Sequence, residues 1–184
     1  MDALIFDCDG TLADTMPAHY RAWLQILQPH GVAFPEERFY ALGGVPAGKI
    51  IEMLFAEAGK VADLDLLTRQ KEAAFVAHSD EIRPIEKVVE IARQARGSKP
   101  LAVASGGHRH IVERTLRQLG ILEWFAVLVT AEDTLRHKPE PDVFLEAARR
   151  LAVVPARCTV YEDSDTGVEA ARRAGMHWVD VRTL

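Results

Sequence analysis

The chain has 184 residues, of which 48% are hydrophobic and 27% are charged. These values are ordinary for a globular protein and allow one elaborated domain or two small ones. The net charge of −5 argues against a nucleic-acid-binding surface, which is usually basic. No apolar run approaches the roughly 20 residues that a membrane helix needs, so no membrane association is predicted.

The two cysteines, Cys8 and Cys158, lie in apolar, strand-like segments. Buried, reduced thiols are the better interpretation of this placement, and a disulfide is the alternative. The N-terminus has no basic segment followed by an apolar one, so no signal peptide is visible. Together these features predict a cytoplasmic protein.

Short apolar runs recur along the chain and predict strands. They are mostly continuous, as expected for strands that are covered on both faces. Segments with helical periodicity separate the later runs, and glycines end several of these segments. Strands that alternate with helices predict an α/β domain with a mainly parallel sheet. The predicted strands are 3–6, 101–104, 127–129, 158–161 and 177–181.

The interval between about Thr15 and Pro84 has a different character, because it shows helical periodicity and no convincing strand. We therefore predict a helical domain at 15–81 that is inserted just after the first strand. The α/β core then comprises 1–14 and 82–184, and the hinges lie near 13–15 and 81–84.

Polar and glycine residues follow the predicted strands. In a parallel sheet the carboxyl ends of the strands meet at one edge, where ligands bind. The sequence therefore predicts that carboxylates, hydroxyls, glycines and one lysine converge there. These residues are Asp7, Asp9, Gly10, Thr11, Ser105, Gly106, Gly107, Thr130, Lys138, Glu162 and Asp163.

This set of residues suits phosphoryl transfer. Asp7 and Asp163 supply hard oxygen ligands for Mg²⁺, and Glu162 is a further candidate ligand. A carboxylate that attacks a phosphate monoester brings two anions together. Mg²⁺ and Lys138 would offset this repulsion.

The remaining residues complete the predicted site. The Ser105 hydroxyl and the Gly106 backbone N–H can hold a phosphate oxygen, and glycine lets the backbone approach it closely. Asp9 lies two residues beyond Asp7, so it leaves the strand in nearly the same direction. It is therefore placed for general acid–base work on the leaving oxygen.

In this order, four motifs resemble those of the haloacid dehalogenase superfamily: Asp7-Cys8-Asp9-Gly10-Thr11-Leu12, Ser105, Lys138-Pro139-Glu140-Pro141-Asp142 and Glu162-Asp163-Ser164. The resemblance implies a Rossmann-like core with an inserted, small all-helical cap domain. It also implies that Asp7 forms an aspartyl-phosphate and that Asp9 acts as general acid and base. Asp163 would bind Mg²⁺ with Asp7 and the backbone carbonyl of Asp9.

The cap is similar to that of the β-phosphoglucomutase branch of this superfamily. The similarity lies in Asp14-Thr15, His19, Arg21-Ala22-Trp23 and Leu42-Gly43-Gly44-Val45, while the run 175–184 is most similar to the fructose-1-phosphate phosphatase group. The resemblance implies a phosphorylated sugar as substrate and cap contacts from His19, Trp23, Gly44 and Lys49.

One departure from the mutase pattern favours a phosphatase over a mutase. The mutases carry a cap arginine that grips a second phosphate, and Ala47 stands at that position here. Gly43 likewise replaces a lysine, although Lys49 lies nearby as a partial substitute. A phosphosugar mutase therefore remains the alternative function.

Several alternatives stay open at the sequence level. His19 is either a packed cap residue or a substrate contact, and Glu162 is a metal ligand, a neighbour of the ligands or a solvent-facing acid. A non-enzymatic receiver-like domain is a remote alternative, since no Asp directly follows the third strand near Thr130. The sequence does not fix the oligomeric state, and a monomer is favoured.

Overall fold

The computed structural model describes residues 2–184. Within this range the strands are β1 (Ala3–Phe6), β2 (Leu101–Ala104), β3 (Val127–Val129), β4 (Cys158–Glu162) and β5 (His177–Asp180). The α-helices are α1 (Met16–Leu27), α2 (Glu36–Ala41), α3 (Ala47–Glu57), α4 (Leu64–Ala77), α5 (Glu86–Ala95), α6 (Arg109–Gln118), α7 (Asp142–Leu151) and α8 (Asp165–Arg173).

The strands form one parallel, five-stranded sheet in the order β3-β2-β1-β4-β5. Leu4 of the central strand lies opposite Leu101 of β2 and Thr159 of β4. All pairings are parallel, so every strand ends at the same edge of the sheet. The predicted α/β fold class, with its Rossmann-like parallel sheet, is confirmed.

Alternate side chains of β1 face two different layers of helices. Ala3 and Ile5 belong to a buried cluster with residues of α7 and α8. Leu4 and Phe6 belong to a second cluster with residues of α5 and α6. Because both faces are covered, the strand is apolar throughout rather than alternating. The two cysteines are buried and free, as predicted.

Helices α1 to α4 surround a hydrophobic cluster of their own. Trp23, Leu27, Phe34 and Phe55 are among its buried members. A smaller cluster joins α1 and α4 to the sheet domain through Phe75 and Ile111. The helical character of this interval agrees with the sequence, while its status as a separate cap domain at 15–81 stays a prediction.

The two segments that connect these helices to the sheet lie side by side. Ala13 and Pro84 form an isolated β-bridge. The Asp14 N–H donates a hydrogen bond to the Arg83 carbonyl, with 2.9 Å between N and O. Any movement of the helices relative to the sheet would therefore involve both segments together.

The helices show details that the sequence interpretation did not contain. Helix α2 has only six residues, which is too short for a clear periodicity. Helix α5 was not predicted from the sequence, although Val88, Val89 and Ala92 form its buried face. Helix α1 ends at Leu27, after which a 3-10 turn leads to Gly31 with φ of 61°. No helix within residues 2–184 has both the length and the apolar character needed to span a bilayer.

Candidate active site

Four predicted site residues meet at the carboxyl edge of the sheet. Asp7 directly follows β1, and its N–H donates to the Tyr161 carbonyl at 3.0 Å, which extends the pairing of β1 with β4. Glu162 ends β4 and Asp163 follows it. Lys138 reaches the same point from the loop before α7, although it is 131 residues from Asp7 in sequence.

Lys138 is the buried cation at the centre of this group. Its Nζ donates to Asp7 Oδ1 at 2.6 Å and to Glu162 Oε2 at 2.6 Å. It also lies 5.0 Å from the centre of the Phe144 ring, a cation–π distance. Burial would lower the pKa of Lys138, but the two carboxylates raise it overall, so the ammonium stays charged.

Three protein donors hold the Glu162 carboxylate. Its Oε1 accepts hydrogen bonds from the Ser164 N–H at 3.0 Å and from the Ser164 hydroxyl at 2.7 Å, while Oε2 accepts from Lys138. Gly167 packs against this carboxylate, and any larger side chain there would overlap it. These contacts favour a role for Glu162 in positioning Lys138 rather than in binding a metal.

The carboxylates beside Lys138 fit a hard divalent cation. Oxygens of Asp7, Glu162 and Asp163 all lie within 4.8 Å of one another. Burial, reinforced by Glu162, raises the pKa of Asp163 to about 7. Burial and the neighbouring carboxylates also raise the pKa of Asp7, although Lys138 opposes this. A cation such as Mg²⁺ would relieve this repulsion and match the oxygen ligands.

The structure holds Asp163 in place from two sides. The Thr11 hydroxyl donates to Asp163 Oδ1 at 2.8 Å. Gly10, with φ of 84°, brings its backbone against the same carboxylate, where a Cβ atom would overlap it. A glycine is therefore needed at this turn for both its left-handed backbone and its lack of a side chain.

Asp9 belongs to a second network that extends into the helical segment. Its Oδ1 accepts from the Thr15 hydroxyl at 2.8 Å and lies 3.2 Å from His19 Nε2. His19 Nδ1 lies 2.7 Å from Lys71 Nζ on α4. Burial and Lys71 lower the pKa of His19, although Asp9 opposes this. Its partners assign the proton to Nε2, which donates to Asp9.

The charge state of Asp9 follows from these contacts. Burial alone would raise the pKa of Asp9, but His19, Thr15 and Lys71 bring it to about 2. Asp9 is therefore a carboxylate that is ready to accept a proton, and it must first gain one to act as an acid. Burial lowers the pKa of Lys71 itself to about 8.

The turn after β2 carries the predicted phosphate-binding residues. Ser105 is buried, and its N–H donates to the Val129 carbonyl at 3.0 Å. Its hydroxyl accepts from the Gly107 N–H at 3.1 Å. Gly106 faces the Gly44 carbonyl of the loop between α2 and α3, where a Cβ atom on Gly106 would overlap that oxygen.

Comparison with known proteins decides the family. Residues 1–175 match the family of haloacid dehalogenase-like hydrolases. The chain belongs to this family. A curated relative, the fructose-1-phosphate phosphatase YqaB of Escherichia coli, is 38% identical over 98% of this chain and 96% of its own length. This haloacid dehalogenase-like hydrolase is therefore an enzyme of the phosphatase type.

Two further proteins are similar to nearly the whole chain. The β-phosphoglucomutase of Bacillus subtilis is 29% identical over 98% of this chain and 83% of its own. Among solved structures, CbbY from Rhodobacter sphaeroides, determined in complex with phosphate, has a TM-score of 0.85 and 28% identity. That match covers 97% of this chain and 84% of the other.

The hydrolase has a cavity between the helical segment and the sheet, and most predicted site residues line it. Asp7, Asp9, Ser105 and Gly106 line it from the sheet domain, and His19, Trp23 and Gly44 line it from the helical segment. Lys49 does not: its Nζ lies 2.6 Å from Glu52 Oε2, and 67% of the side chain is exposed. The structure therefore does not bring Lys49 to the site.

Sequence reasoning missed two charged residues of α4 that line the cavity, Lys71 and Glu72. Lys71 is buried, and it lies four residues from both Leu67 and Phe75 on the buried face of α4. A lysine at this spacing within an apolar stripe is the signal that could have identified it. Glu72 gave no comparable signal, because charged residues in a helix usually face solvent.

Proposed function

We propose that this hydrolase is a Mg²⁺-dependent phosphatase that acts on a small sugar phosphate through an aspartyl-phosphate on Asp7. The observation that carries the proposal is the buried Lys138 bridge between Asp7 and Glu162, with Asp163 beside it. In this arrangement Asp7, the carboxylate proposed as the nucleophile, lines the cavity and lies next to a fixed cation. The phosphatase relative of similar length supports the same reaction.

In the first step, an Asp7 carboxylate oxygen would attack the phosphorus, and the bond between phosphorus and the sugar oxygen would break. The Ser105 hydroxyl and the Gly106 N–H would hold phosphate oxygens, and Lys138 would stabilise their charge. Asp9 would deliver a proton to the leaving sugar oxygen, after taking one up as the anionic substrate enters.

In the second step, water would attack the phosphorus of the aspartyl-phosphate, and the Asp7 carboxylate would be released with inorganic phosphate. Asp9 would accept the proton of the attacking water. His19 and Thr15 fix its carboxylate for this role. Mg²⁺, held by Asp7, Asp163 and the Asp9 carbonyl, would supply charge compensation when bound.

The lining of the cavity supports a monophosphate substrate. Among the described residues, no arginine lines it, and its one lysine, Lys71, is hydrogen-bonded to His19. Gly43 and Ala47 stand where a mutase would need cations for a second phosphate. The cap proposed at 15–81 would close over a small molecule and exclude water during attack on Asp7. Fructose 1-phosphate is the first candidate substrate because of the curated relative.

The test is phosphate release from a panel of phosphorylated sugars and short phosphate esters, with and without Mg²⁺. We expect release only with Mg²⁺, and we expect Asp7→Asn to lower the rate by at least about 10³-fold. Asp2→Asn is the matched control, since Asp2 pairs with Arg157 on the surface. Activity in Asp7→Asn equal to that of the control would refute the assignment of the nucleophile.

The mutase alternative is tested with the same protein. A mutase would interconvert hexose 1- and 6-phosphates when a trace of the bisphosphate is added. We expect net phosphate release without this isomerisation. Isomerisation faster than release would overturn the proposal in favour of a mutase.

A further inference from the structure

Glu72 of α4 contacts two histidines of the sheet domain. Its Oε1 is within hydrogen-bonding distance of His108 Nδ1, and its Oε2 lies 3.5 Å from His110 Nε2. Only 14% of the Glu72 side chain is exposed, compared with 33% for His108 and 66% for His110. The Glu72–His108 pair is thus the more protected contact, and it joins the helical segment to the loop just after Ser105.

This pair lies between two spaces. Glu72 and His108 both line the cavity that contains Asp7 and Asp9. Both also line a second cleft, between the helical segment and the loop around Glu132. The pair therefore forms part of the wall that separates the reacting groups from this outer cleft.

The rest of the cavity offers few partners for a polar substrate. Its surface on the helical side is largely apolar, with Trp23, Phe39 and Phe75 among the lining residues. The polar side chains that line it, within residues 2–184, are Asp7, Asp9, His19, Lys71, Glu72, Ser105 and His108. Asp7, Asp9 and Ser105 are assigned to the phosphate, and both ring nitrogens of His19 are engaged, by Asp9 and Lys71. Lys71 keeps further N–H donors, so Glu72 is the carboxylate left to accept hydrogen bonds from a sugar.

A sugar carries several hydroxyls, each of which loses hydrogen bonds to water when it is buried. The protein must replace those bonds or bind the sugar weakly. A carboxylate accepts about four hydrogen bonds, so Glu72 retains acceptor sites beyond its contact with His108. The imidazole of His108 adds a second polar group beside it.

We propose that Glu72 and His108 bind hydroxyl groups of the sugar and set the preference for polyol phosphates over phosphate esters without hydroxyls. The inference rests on the proposed phosphatase function and names the recognition groups of the same cavity. Both residues act on the sugar and not on the phosphate. Their loss should therefore impair the hydrolysis of a polyol phosphate much more than that of a simple ester.

The experiment compares the best polyol phosphate of the panel with p-nitrophenyl phosphate, in the wild-type enzyme, Glu72→Gln, His108→Asn and the double variant. We expect Glu72→Gln to raise KM for the polyol phosphate about tenfold or more, because hydrogen bonds to charged groups are strong. Values of kcat/KM for p-nitrophenyl phosphate should fall by a much smaller factor, because this ester has no sugar hydroxyls to bind. Glu57→Gln is the matched control, since Glu57 pairs with Arg38 on the exposed side of α3.

The double variant should be no worse than the poorer single variant if the two residues bind the sugar as a unit. Unchanged KM values for the polyol phosphate in both single variants would overturn the inference and leave the phosphatase intact. An equal loss for both substrates would also overturn it, because the pair would then act in folding or cap closure. Absence of release from every substrate by the wild-type enzyme would instead refute the proposed function.

Discussion

At the residue scale, the position of Lys138 depends on a carboxylate that does not face the substrate. Glu162 is anchored through Ser164 and leaves its other oxygen for the lysine. An ammonium buried without such partners would lose its proton or leave the site. The two carboxylates keep Lys138 charged and directed at Asp7. The sequence left open whether Glu162 binds a metal or has another role. Its contacts with Ser164 and Lys138 favour the positioning of Lys138, and the two roles predict different results for one substitution.

Glu162→Gln tests this role. The glutamine side chain keeps the volume but loses the charge, so Lys138 keeps only Asp7 as its carboxylate partner. We expect kcat at saturating Mg²⁺ to fall by roughly 10- to 100-fold, as for other supporting groups. The Mg²⁺ concentration at half-maximal rate should change little. A large rise in that concentration with kcat retained would instead identify Glu162 as a metal ligand.

At the scale of elements, one contact places the helical segment against the turn proposed to bind phosphate. The Gly44 carbonyl lies directly over Gly106, and the space between them admits no Cβ atom. Helix α4 reinforces this approach, since it directs Lys71 and Glu72 into the cavity and packs Phe75 on the His19 ring at 3.9 Å between ring centres. The observed arrangement is therefore a closed one, with a loop, a turn and a helix in close contact.

Gly106→Ala should prevent this closed arrangement. Alanine keeps the backbone N–H that would bind phosphate but adds a methyl group against the Gly44 carbonyl. We expect kcat/KM for a sugar phosphate to fall by about tenfold or more, because misplaced groups around a bound substrate cost catalysis. The melting temperature should change by only a few degrees.

Gly48→Ala is the control for that variant. Gly48 lies in α3, and the nearest atom to an added Cβ is Thr68 Oγ1 at 3.7 Å. Activity should be unchanged, and stability should rise by up to about 1 kcal/mol from helix propensity. Wild-type kcat/KM in Gly106→Ala would show that turnover does not need the closed contact.

At the scale of the whole molecule, the helical segment and the sheet domain meet through a small apolar cluster and a few polar contacts. The Glu72–His108 pair is one of these contacts, and both of its side chains can gain or lose a proton. The hydrogen bond to Glu72 raises the pKa of His108 above its ordinary value of 6.5, and Glu132 acts in the same direction while Lys71 opposes it. Burial raises the pKa of Glu72, but His108, His110 and Lys71 lower it overall from 4.5.

The signs of these shifts fix a pH window for the stability of the pair. The contribution of Glu72 is present above pH 4.5 and is lost as pH falls through its lowered pKa. The contribution of His108 is present below pH 6.5 and is lost as pH rises through its raised pKa. The pair should therefore stabilise the closed molecule most between these two values.

Thermal denaturation of Glu72→Gln measures this window. We expect its melting temperature to lie a few degrees below that of the wild type near about pH 5.5, with a smaller difference near about pH 9. For the control Glu57→Gln, the difference in melting temperature from the wild type should be the same at both pH values, because Arg38, the partner of Glu57, stays charged over this range. A difference for Glu72→Gln that grows with pH would contradict the assignment of the pair.

The sequence by itself determined the α/β class, the interposed helices and the acidic edge of the sheet. Apolar runs that end in Asp7, Ser105 and Asp163 carry this information locally, since parallel strands end at a common edge. The sequence did not determine how α4 faces the sheet. Lys71 and Glu72 reach the cavity because α4 packs against α1, and Lys49 turns away to Glu52. Such placements depend on contacts between residues far apart in the chain, so the tertiary structure decided them.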